Sequence, residues 1–276
     1  MEDWRLVVSA FSRRVADVTG VAEKELESLA AESVSEVLLL RRATGALTVA
    51  KSGPALGAEA RMLRELAGAG LPAPLVEGEH DGVLLLEHIE NDGVFSSRAW
   101  ADIGTRLRRL HDHRGETYGW PTDYAIGTVT FDNREGSDWP RFWGEQRLVA
   151  TASLLDRPWR ERVDRLVGRL RDLLPEAPPP ALLHGDLWTG NMLVRDGRLV
   201  ALVDPACYYG DGEVDLAMLD LFCSPPDCFY DAYGPLEPGW RERRPVYQLF
   251  PALAHVRLWG PSYLAMTERL LSAVGA

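Results

Sequence analysis

The chain has 276 residues, of which 46% are hydrophobic and 26% charged, and this composition is typical of a folded globular protein and excludes a disordered one. Its formal net charge of −11 excludes the basic field that nucleic-acid binding needs, and it disfavours docking on an anionic membrane. A chain of this length can form two lobes with a sizeable shared core.

The sequence also predicts where the protein works. No apolar run approaches the roughly 20 residues of a membrane-spanning helix, and residues 1–4 begin an acidic, amphipathic segment unlike a signal peptide. The three cysteines, Cys207, Cys223 and Cys228, cannot all pair and lack the spacing of metal ligands, which agrees with a reducing compartment. We therefore expect a cytoplasmic protein that binds neither nucleic acid nor membrane. The sequence predicts no particular oligomeric state.

Residues 1–89 predict a small lobe of mixed secondary structure. Helical periodicity covers residues 4–18, and apolar strands follow near 34–42 and 47–51. A second helical stripe covers 56–67, and after a break rich in Gly and Pro, residues 83–89 read as a buried strand that leads into a linker. We therefore expect the first lobe to end at residue 89.

Residues 90–276 predict a larger, mostly helical lobe. The predicted helices cover residues 99–111, 139–155, 160–174, 213–222, 241–259 and 262–273. Two short apolar strands, 192–194 and 199–203, flank Asp196-Gly197, which is typical hairpin-turn chemistry. The predicted fold class is α+β, with an antiparallel sheet in the smaller lobe.

Polar residues around that hairpin predict phosphoryl transfer. Asp186 precedes Asn191 by five positions, and Asp204 ends the strand after the hairpin, a spacing that matches the catalytic loop and metal-binding Asp of protein-kinase-like enzymes. Asp186 would orient the acceptor hydroxyl and take its proton, while Asn191 and Asp204 offer hard oxygen ligands for Mg²⁺ held against ATP phosphates. Either piece alone could be a turn or a helix N-cap, but the joint spacing favours a kinase.

The segments HGDLWTGN at 184–191 and DPACYYGDGEVDLAMLDLF at 204–222 resemble the fructosamine kinase (ketosamine-3-kinase) family. Trp188 and the run YYGD at 208–211 are the more specific marks of that family. The resemblance implies a two-lobed protein-kinase-like fold, use of ATP and Mg²⁺, and phosphorylation of the 3-hydroxyl of fructosamines or ribulosamines. The substrate would be a small amine-sugar or a glycated protein lysine. His184 and Asp215 would support the catalytic loop, although Asp215 could instead serve its own helix dipole.

The kinase scheme requires a nucleotide clamp in the smaller lobe. Lys51 would contact the α- and β-phosphates, and Glu59 on the following helix would hold its ammonium group. The ordinary alternative is a surface pair of no consequence. Adenine would bind backbone groups of Glu87, His88 and Ile89, unless this segment is simply a core strand leaving the sheet.

The loop before the predicted strand near 34–42 departs from the family pattern. Family members usually carry adjacent glycines there, whereas residues 30–36 read AAESVSE. Ser33 and Ser35 could donate hydrogen bonds to phosphate, although an ordinary strand-entry turn explains them equally well. Glu32 or Glu36 near the triphosphate would repel it.

Three aromatic residues are expected near the acceptor. Trp188 could stack on the substrate or on its cationic amine, with core filling as the alternative. Tyr124 and Phe131 stand where the family commonly has Asn and Gln, so the pocket gains aromatic surface and loses hydrogen-bonding groups. The sequence therefore leaves open a related phosphotransferase for an aminoglycoside or amino alcohol. The altered loop at 30–36 also leaves open a catalytically silent relative that only binds a ligand.

Overall fold

The computed structural model describes the backbone of residues 4–31, 35–153 and 155–276, and the side chains of all of these except 4–9, 30 and 31. The predictions made for Glu32 and Ser33 therefore lie outside the described residues. Within this part of the chain, no helix is long and apolar enough to cross a membrane.

The smaller lobe is built on a five-stranded antiparallel sheet. The strands are β1 (Glu27–Ala31), β2 (Glu36–Arg41), β3 (Leu47–Lys51), β4 (Val76–His80) and β5 (Val83–Glu87), and their order across the sheet is β1-β2-β3-β5-β4. Helix α1 (Trp4–Thr19) packs against the sheet, and helix α2 (Leu56–Gly68) connects β3 to β4. The predicted helices and strands β2, β3 and β5 are confirmed. The sequence does not predict β1 and β4, because neither has a clear apolar pattern.

The larger lobe is mainly helical. Its helices are α3 (Ser97–His111), α4 (Trp139–Phe142), α5 (Ala150–Ala152), α6 (Arg157–Val167), α7 (Leu170–Leu173), α8 (Glu213–Phe222), α9 (Asp227–Tyr233), α10 (Trp240–Trp259) and α11 (Leu264–Ala273). Its strands form three antiparallel pairs, β6 (Tyr124–Ile126) with β7 (Val129–Phe131), β8 (Ala181–Leu183) with β11 (Tyr208–Gly210), and β9 (Met192–Arg195) with β10 (Arg198–Leu202).

Two of the predicted long helices are interrupted. The chain between α4 and α5 makes π-helical turns at Trp143–Val149, and α5 ends at Ala152. The prediction of one helix over 160–174 is wrong, because α6 ends at Val167 and α7 begins at Leu170. Gly168 lies at this break, and glycine is among the poorest helix formers.

The turn between β9 and β10 has the predicted chemistry. Asp196 and Gly197 both have positive φ angles, 52° and 72°, as a type I′ hairpin turn requires. The N–H of Leu199 in β10 donates to the Asp102 carboxylate of α3 at 2.9 Å, which fixes the hairpin on the larger lobe. Asn191 and Asp204 flank this hairpin and are thereby held near each other.

Helix α2 joins the two lobes through packing on both of its sides. Leu63 packs with Leu84 and Leu86 of the sheet, whereas Met62 and Leu66 belong to a buried cluster formed mainly by the larger lobe. The backbone N–H of Cys207 also points at the Met62 sulfur, 3.3 Å away. The helix is therefore a shared element between the lobes.

Replacing Gly104 by Ala should destabilise the larger lobe. A Cβ atom at Gly104 in α3 would lie 2.3 Å from the carbonyl oxygen of Phe229 in α9, and a backbone atom cannot move away easily. Overpacking of this kind costs about 1–3 kcal/mol, which urea denaturation would detect.

Gly68→Ala is the matched control for that variant. A Cβ at Gly68, the last residue of α2, would meet no heavy atom within 4 Å. Because alanine favours the helix by about 0.5–1 kcal/mol, Gly68→Ala should be neutral or stabilising. Equal unfolding free energies for the two variants would contradict the close approach of α3 and α9.

Candidate active site

A cavity of about 730 Å³ lies between the two lobes and contains most of the predicted site residues. Lys51 at the end of β3 and Glu59 in α2 line it from the smaller lobe. The larger lobe contributes Asp186, Asn191 and Asp204. Apart from the neutral Asn191, these side chains comprise one cation and three carboxyl groups. The cavity therefore favours cationic ligands, or anions that bind together with a metal ion.

Lys51 links the two lobes through its ammonium group. Nζ lies 2.8 Å from Oε1 of Glu59 and also contacts the carboxylate of Asp204, which is 153 positions away in sequence. Burial opposes the charged form of Lys51, but the two carboxylates outweigh it and raise the pKa of the ammonium group above its usual value. Burial also raises the pKa of Glu59, against the effect of Lys51. The predicted pair of Lys51 and Glu59 is therefore formed and buried, and it is not a surface pair.

Asp186 and Asn191 form the second part of the site. The Asn191 side-chain amide donates to the Asp186 backbone oxygen at 2.8 Å and to its Oδ2 at 3.0 Å. Burial raises the pKa of Asp186 to about 7, although the Asn191 hydrogen bond works in the opposite direction. The amide holds one carboxylate oxygen of Asp186 and leaves the other directed elsewhere, which suits a group that must engage a hydroxyl.

Gly185 allows the loop to approach the strand that follows Asp204. Its φ angle is +81°, and a Cβ there would lie 2.1 Å from the Ala206 carbonyl oxygen. Asp204 also has a positive φ angle, 53°, in a region where Asp is tolerated better than most residues. The loop therefore packs closely on Ala206, two residues after Asp204, through a position that only glycine fits.

His184 and Asp215 occupy buried positions beneath this loop. The Asp215 carboxylate accepts the backbone N–H groups of His184 at 2.7 Å and Gly185 at 2.9 Å. His184 accepts the Asp186 N–H at Nδ1 and donates from Nε2 to the Val203 oxygen, so its partners fix the neutral tautomer protonated at Nε2. Burial lowers the pKa of His184, which agrees with a neutral ring. The expected supporting geometry of both residues is present.

His111 is a supporting residue that the sequence pattern does not reveal. Its Nε2 lies 3.2 Å from the Asp215 carboxylate and its Nδ1 lies 2.8 Å from the Tyr233 hydroxyl. Burial alone would raise the pKa of Asp215, but the hydrogen bonds from His111 and from the Gly185 N–H lower it. In sequence, His111 lies in an apolar helical stripe, which indicates only a core position.

The donor set at Asn191 and Asp204 fits a magnesium ion. Mg²⁺ is commonly held by one or two protein oxygen ligands, with waters and substrate phosphates completing its shell. Asn191 and Asp204 supply a carboxamide oxygen and a half-exposed carboxylate at the same wall of the cavity. Among the described residues there is no cluster of three or more His, Cys, Asp or Glu side chains that would form a closed metal site.

The three aromatic residues predicted near the acceptor differ in position. Trp188 lies at the cavity wall and is 39% exposed, and its indole ring covers Gly190, where a Cβ would come within 2.2 Å of the ring. Tyr124 also lines the cavity. Phe131, which faces Tyr124 across the β6–β7 pair, is buried against Phe250 with ring centroids 5.2 Å apart. Phe131 borders a smaller recess beside Asp186 and does not line the main cavity.

The predicted adenine segment and the loop before β2 contact the cavity only in part. Glu87, His88 and Ile89 are not among its lining residues, and the Glu87 N–H already donates to the Leu75 oxygen at 2.9 Å. Ser35 lines the cavity as expected, whereas Glu36 does not. The expected repulsion between Glu36 and bound phosphate therefore has no support in this geometry.

Arg147 fixes the base of the β6–β7 hairpin and has no marker in the sequence. It is fully buried, and its guanidinium donates to the Asp132 oxygen at 2.6 Å and to the Asn133 side-chain oxygen at 2.7 Å. Its Cζ lies 4.1 Å from the centroid of the Tyr208 ring. Among the described residues no carboxylate pairs with it, and burial lowers its pKa. The hairpin that carries Tyr124 is thus held by a buried cation bound to neutral oxygens.

A family model and several known proteins are similar to this chain. A family model described as fructosamine kinase matches residues 22–275. A "Probable ketoamine kinase" of Synechocystis sp. is 37% identical over 210 residues, which cover 73% of this chain and 71% of that protein. The chloroplastic protein-ribulosamine 3-kinase of Arabidopsis thaliana is 32% identical over 227 residues, covering 76% of this chain and 68% of that protein.

A solved structure shows the same fold over nearly the whole chain. A Thermobifida fusca protein to which fructosamine-3-kinase activity is ascribed is 32% identical and superimposes with a TM-score of 0.84. The match covers 95% of this chain and 97% of that one. The predicted α+β, two-lobed, protein-kinase-like fold is confirmed.

Removing the Asp215 carboxylate should strongly destabilise the larger lobe. Asp215→Ala leaves the N–H groups of His184 and Gly185 and the His111 ring without their acceptor in a buried site. Each buried donor left unpaired costs about 1–3 kcal/mol, so we expect a loss of about 3 kcal/mol or more in urea denaturation.

Asp220→Ala provides the comparison on the same helix. The Asp220 carboxylate forms an ion pair with Arg244 at 2.9 Å, and both side chains are partly exposed. Its loss should cost about 1 kcal/mol or less. A stability loss for Asp215→Ala no larger than that of Asp220→Ala would rule out the supporting role of Asp215.

Proposed function

The chain belongs to the fructosamine kinase family, and we propose that it is an ATP- and Mg²⁺-dependent kinase that phosphorylates the 3-hydroxyl of fructosamines or ribulosamines. The observation that carries this proposal is the hydrogen-bonded pair of Asp186 and Asn191, which shares one cavity with the Lys51–Glu59 and Lys51–Asp204 contacts. Each of these groups corresponds to one requirement of phosphoryl transfer.

We propose that residues 1–89 form the nucleotide clamp and residues 90–276 carry the catalytic loop and acceptor site. Lys51 would bind the α- and β-phosphates, with Glu59 keeping its ammonium in place. The buried 2.8 Å contact between Lys51 and Glu59 supports this role, because it holds the ammonium at the cavity wall. Backbone groups near Glu87, His88 and Ile89 would bind adenine, as in the kinase scheme.

Asn191 and Asp204 would hold Mg²⁺. Bound ATP and Mg²⁺ supply the transferable phosphoryl group and the positive charge that balances the phosphate oxygens. Because Asp204 contacts Lys51 in this structure, its carboxylate would divide its interaction between the ammonium and the metal ion. Asn191 would at the same time keep its amide on Asp186, so metal binding and base orientation share one residue.

Asp186 would act on the acceptor hydroxyl. Its carboxylate would accept the hydroxyl proton while the hydroxyl oxygen bonds to the γ-phosphorus and the bond to ADP breaks. The carboxylate is oriented by Asn191, and the loop beneath it is held by Asp215 and His184. The protein therefore contributes position and a proton acceptor, which is most of what this reaction needs.

The acceptor would be a small amine-sugar or a glycated protein lysine, with Trp188 stacked on it. The exposed indole at the cavity wall supports this, since aromatic faces bind both sugar rings and ammonium groups. We place this activity in the cytoplasm, because the chain has no cysteine pairing pattern that an oxidising compartment would favour.

A related phosphotransferase for another amino alcohol is the second candidate. Tyr124 favours it, because it presents an aromatic ring to the main cavity where sugar hydroxyls would need hydrogen-bonding partners. ADP release with ketosamine, ribulosamine and aminoglycoside acceptors separates the two candidates, since only the first requires a ketoamine.

Asp186→Ala should remove turnover and spare nucleotide binding. Loss of a positioned proton acceptor lowers the rate about 10²–10⁴-fold. Nucleotide binding should be spared, because Asp186 would contact the acceptor and not the nucleotide. We would measure ADP release and, separately, nucleotide affinity by calorimetry. Asp231→Ala, an exposed change in α9, should leave both unchanged. Near-normal turnover by Asp186→Ala would refute the catalytic assignment.

Asp204→Ala should remove the dependence of nucleotide binding on magnesium. The wild-type protein should bind ADP more tightly with Mg²⁺ than with a chelator, because Asn191 and Asp204 would hold the ion and its charge would favour the phosphates. The variant should bind ADP equally in both conditions. A magnesium effect of wild-type size in the variant would exclude Asp204 as a metal ligand.

A further inference from the structure

A small recess opens from the main cavity directly beside Asp186. Its volume is about 50 Å³, and it shares Asp186, Ile126, Met218, His255 and Trp259 with the main cavity. A molecule whose hydroxyl reaches Asp186 would therefore place a neighbouring group in the recess.

Apolar side chains form most of the recess wall. Val129, Phe131, Phe250 and Leu258 belong to it, and Ala254 of α10 gives it room. His255 is one of its few polar side chains, and its ring is stacked on Phe222 with centroids 4.6 Å apart. The His255 Nδ1–H donates to the Pro251 oxygen at 2.8 Å, and burial lowers the pKa of the ring, so His255 is neutral. The recess offers almost nothing to a charged or multiply hydroxylated group.

The size of the recess limits its occupant further. A buried water needs about 10–15 Å³, and a cavity of about 150 Å³ takes benzene, so this recess suits an aliphatic group of a few carbon atoms. Nearly every sugar carbon of a ketoamine carries oxygen, and burying those oxygens without partners is costly. The group on the amine nitrogen is the part of such a substrate that can be apolar.

We propose that the recess beside Asp186 is a subsite for a short aliphatic group on the amine nitrogen of the ketoamine. This inference rests on the proposed ketoamine kinase function and narrows its substrate class to ketoamines of small alkylamines. The sugar and its phosphorylated hydroxyl remain in the main cavity. The alkyl group is removed from water and packs against Phe131, Phe250 and Ala254.

Three fructosyl adducts test this subsite on the full-length protein, those of methylamine, propylamine and ethanolamine. The propyl and hydroxyethyl groups have the same number of heavy atoms and differ only in a terminal methyl or hydroxyl. Each buried methylene favours binding about fourfold, so kcat/KM should be roughly fifteenfold higher for the propylamine adduct than for the methylamine adduct. The propylamine adduct should also exceed the ethanolamine adduct about tenfold.

Two variants of Ala254 make the test specific to the recess. Ala254→Val fills the space and should bring the ratio of kcat/KM for propylamine and ethanolamine adducts towards one. Ala254→Ser keeps the size but adds a hydroxyl, and it should shift the same ratio in favour of the ethanolamine adduct. Thermal unfolding of both variants checks that they are folded.

The outcomes separate this inference from the proposed function. Turnover of all three adducts with equal kcat/KM, or a preference for ethanolamine, would overturn the subsite and leave the ketoamine kinase standing. An unchanged propyl preference in both folded Ala254 variants would place the alkyl group elsewhere and also overturn it. Turnover of an aminoglycoside and of none of the adducts would overturn the proposed function together with the subsite.

Discussion

The geometry of the site depends on one buried carboxylate, that of Asp215. It accepts two backbone N–H groups of the catalytic loop and is itself bound by His111, so it joins α8, the loop and α3 at a single point. The backbone N–H groups of His184 and Gly185 lie outside any strand or helix, and buried backbone groups still need hydrogen-bond partners. The Asp215 carboxylate accepts both N–H groups and does not line the cavity, whereas Asp186 of the same loop does.

Chemistry that is local in sequence was predictable, and chemistry that depends on distant contacts was not. Asn191 and Asp204 flank one hairpin, whose Asp-Gly turn brings them together, and Asp186 is only five positions before Asn191, so spacing alone indicated that the three would meet. The pair of Lys51 and Glu59 was predicted from the kinase scheme, but the contact of Lys51 with Asp204 was not, because those residues are 153 positions apart. His111 and Arg147 had no sequence signal, since each sits in a helical pattern and obtains its role from partners on other elements. The β6–β7 hairpin was missed because strands of three residues carry too little periodicity.

Two buried cations are held by different means, Lys51 in the cavity and Arg147 beneath the β6–β7 hairpin. Lys51 is balanced by carboxylates, so its interactions can be redistributed when another cation enters. Arg147 is held by a backbone oxygen, a carboxamide and aromatic rings, none of which titrates near neutral pH. The interactions of Lys51 can therefore be redistributed, whereas those of Arg147 are fixed. In the proposed kinase, this difference would suit a site in which phosphate charge changes during the reaction while the acceptor is only positioned.

The position of helix α2 between the lobes limits how the enzyme can open. If the sheet turns away from α2, the Leu63 contacts with Leu84 and Leu86 slide, and Lys51 loses both of its carboxylates. If α2 travels with the sheet, the Met62 and Leu66 contacts with the larger lobe slide, and Lys51 loses Asp204 alone. The Lys51 ammonium group thus loses both carboxylate partners when the sheet moves without α2, and it keeps Glu59 when α2 moves with the sheet. Whether Glu59 stays paired in the open form distinguishes a lobe that pivots around α2 from one that carries α2 along.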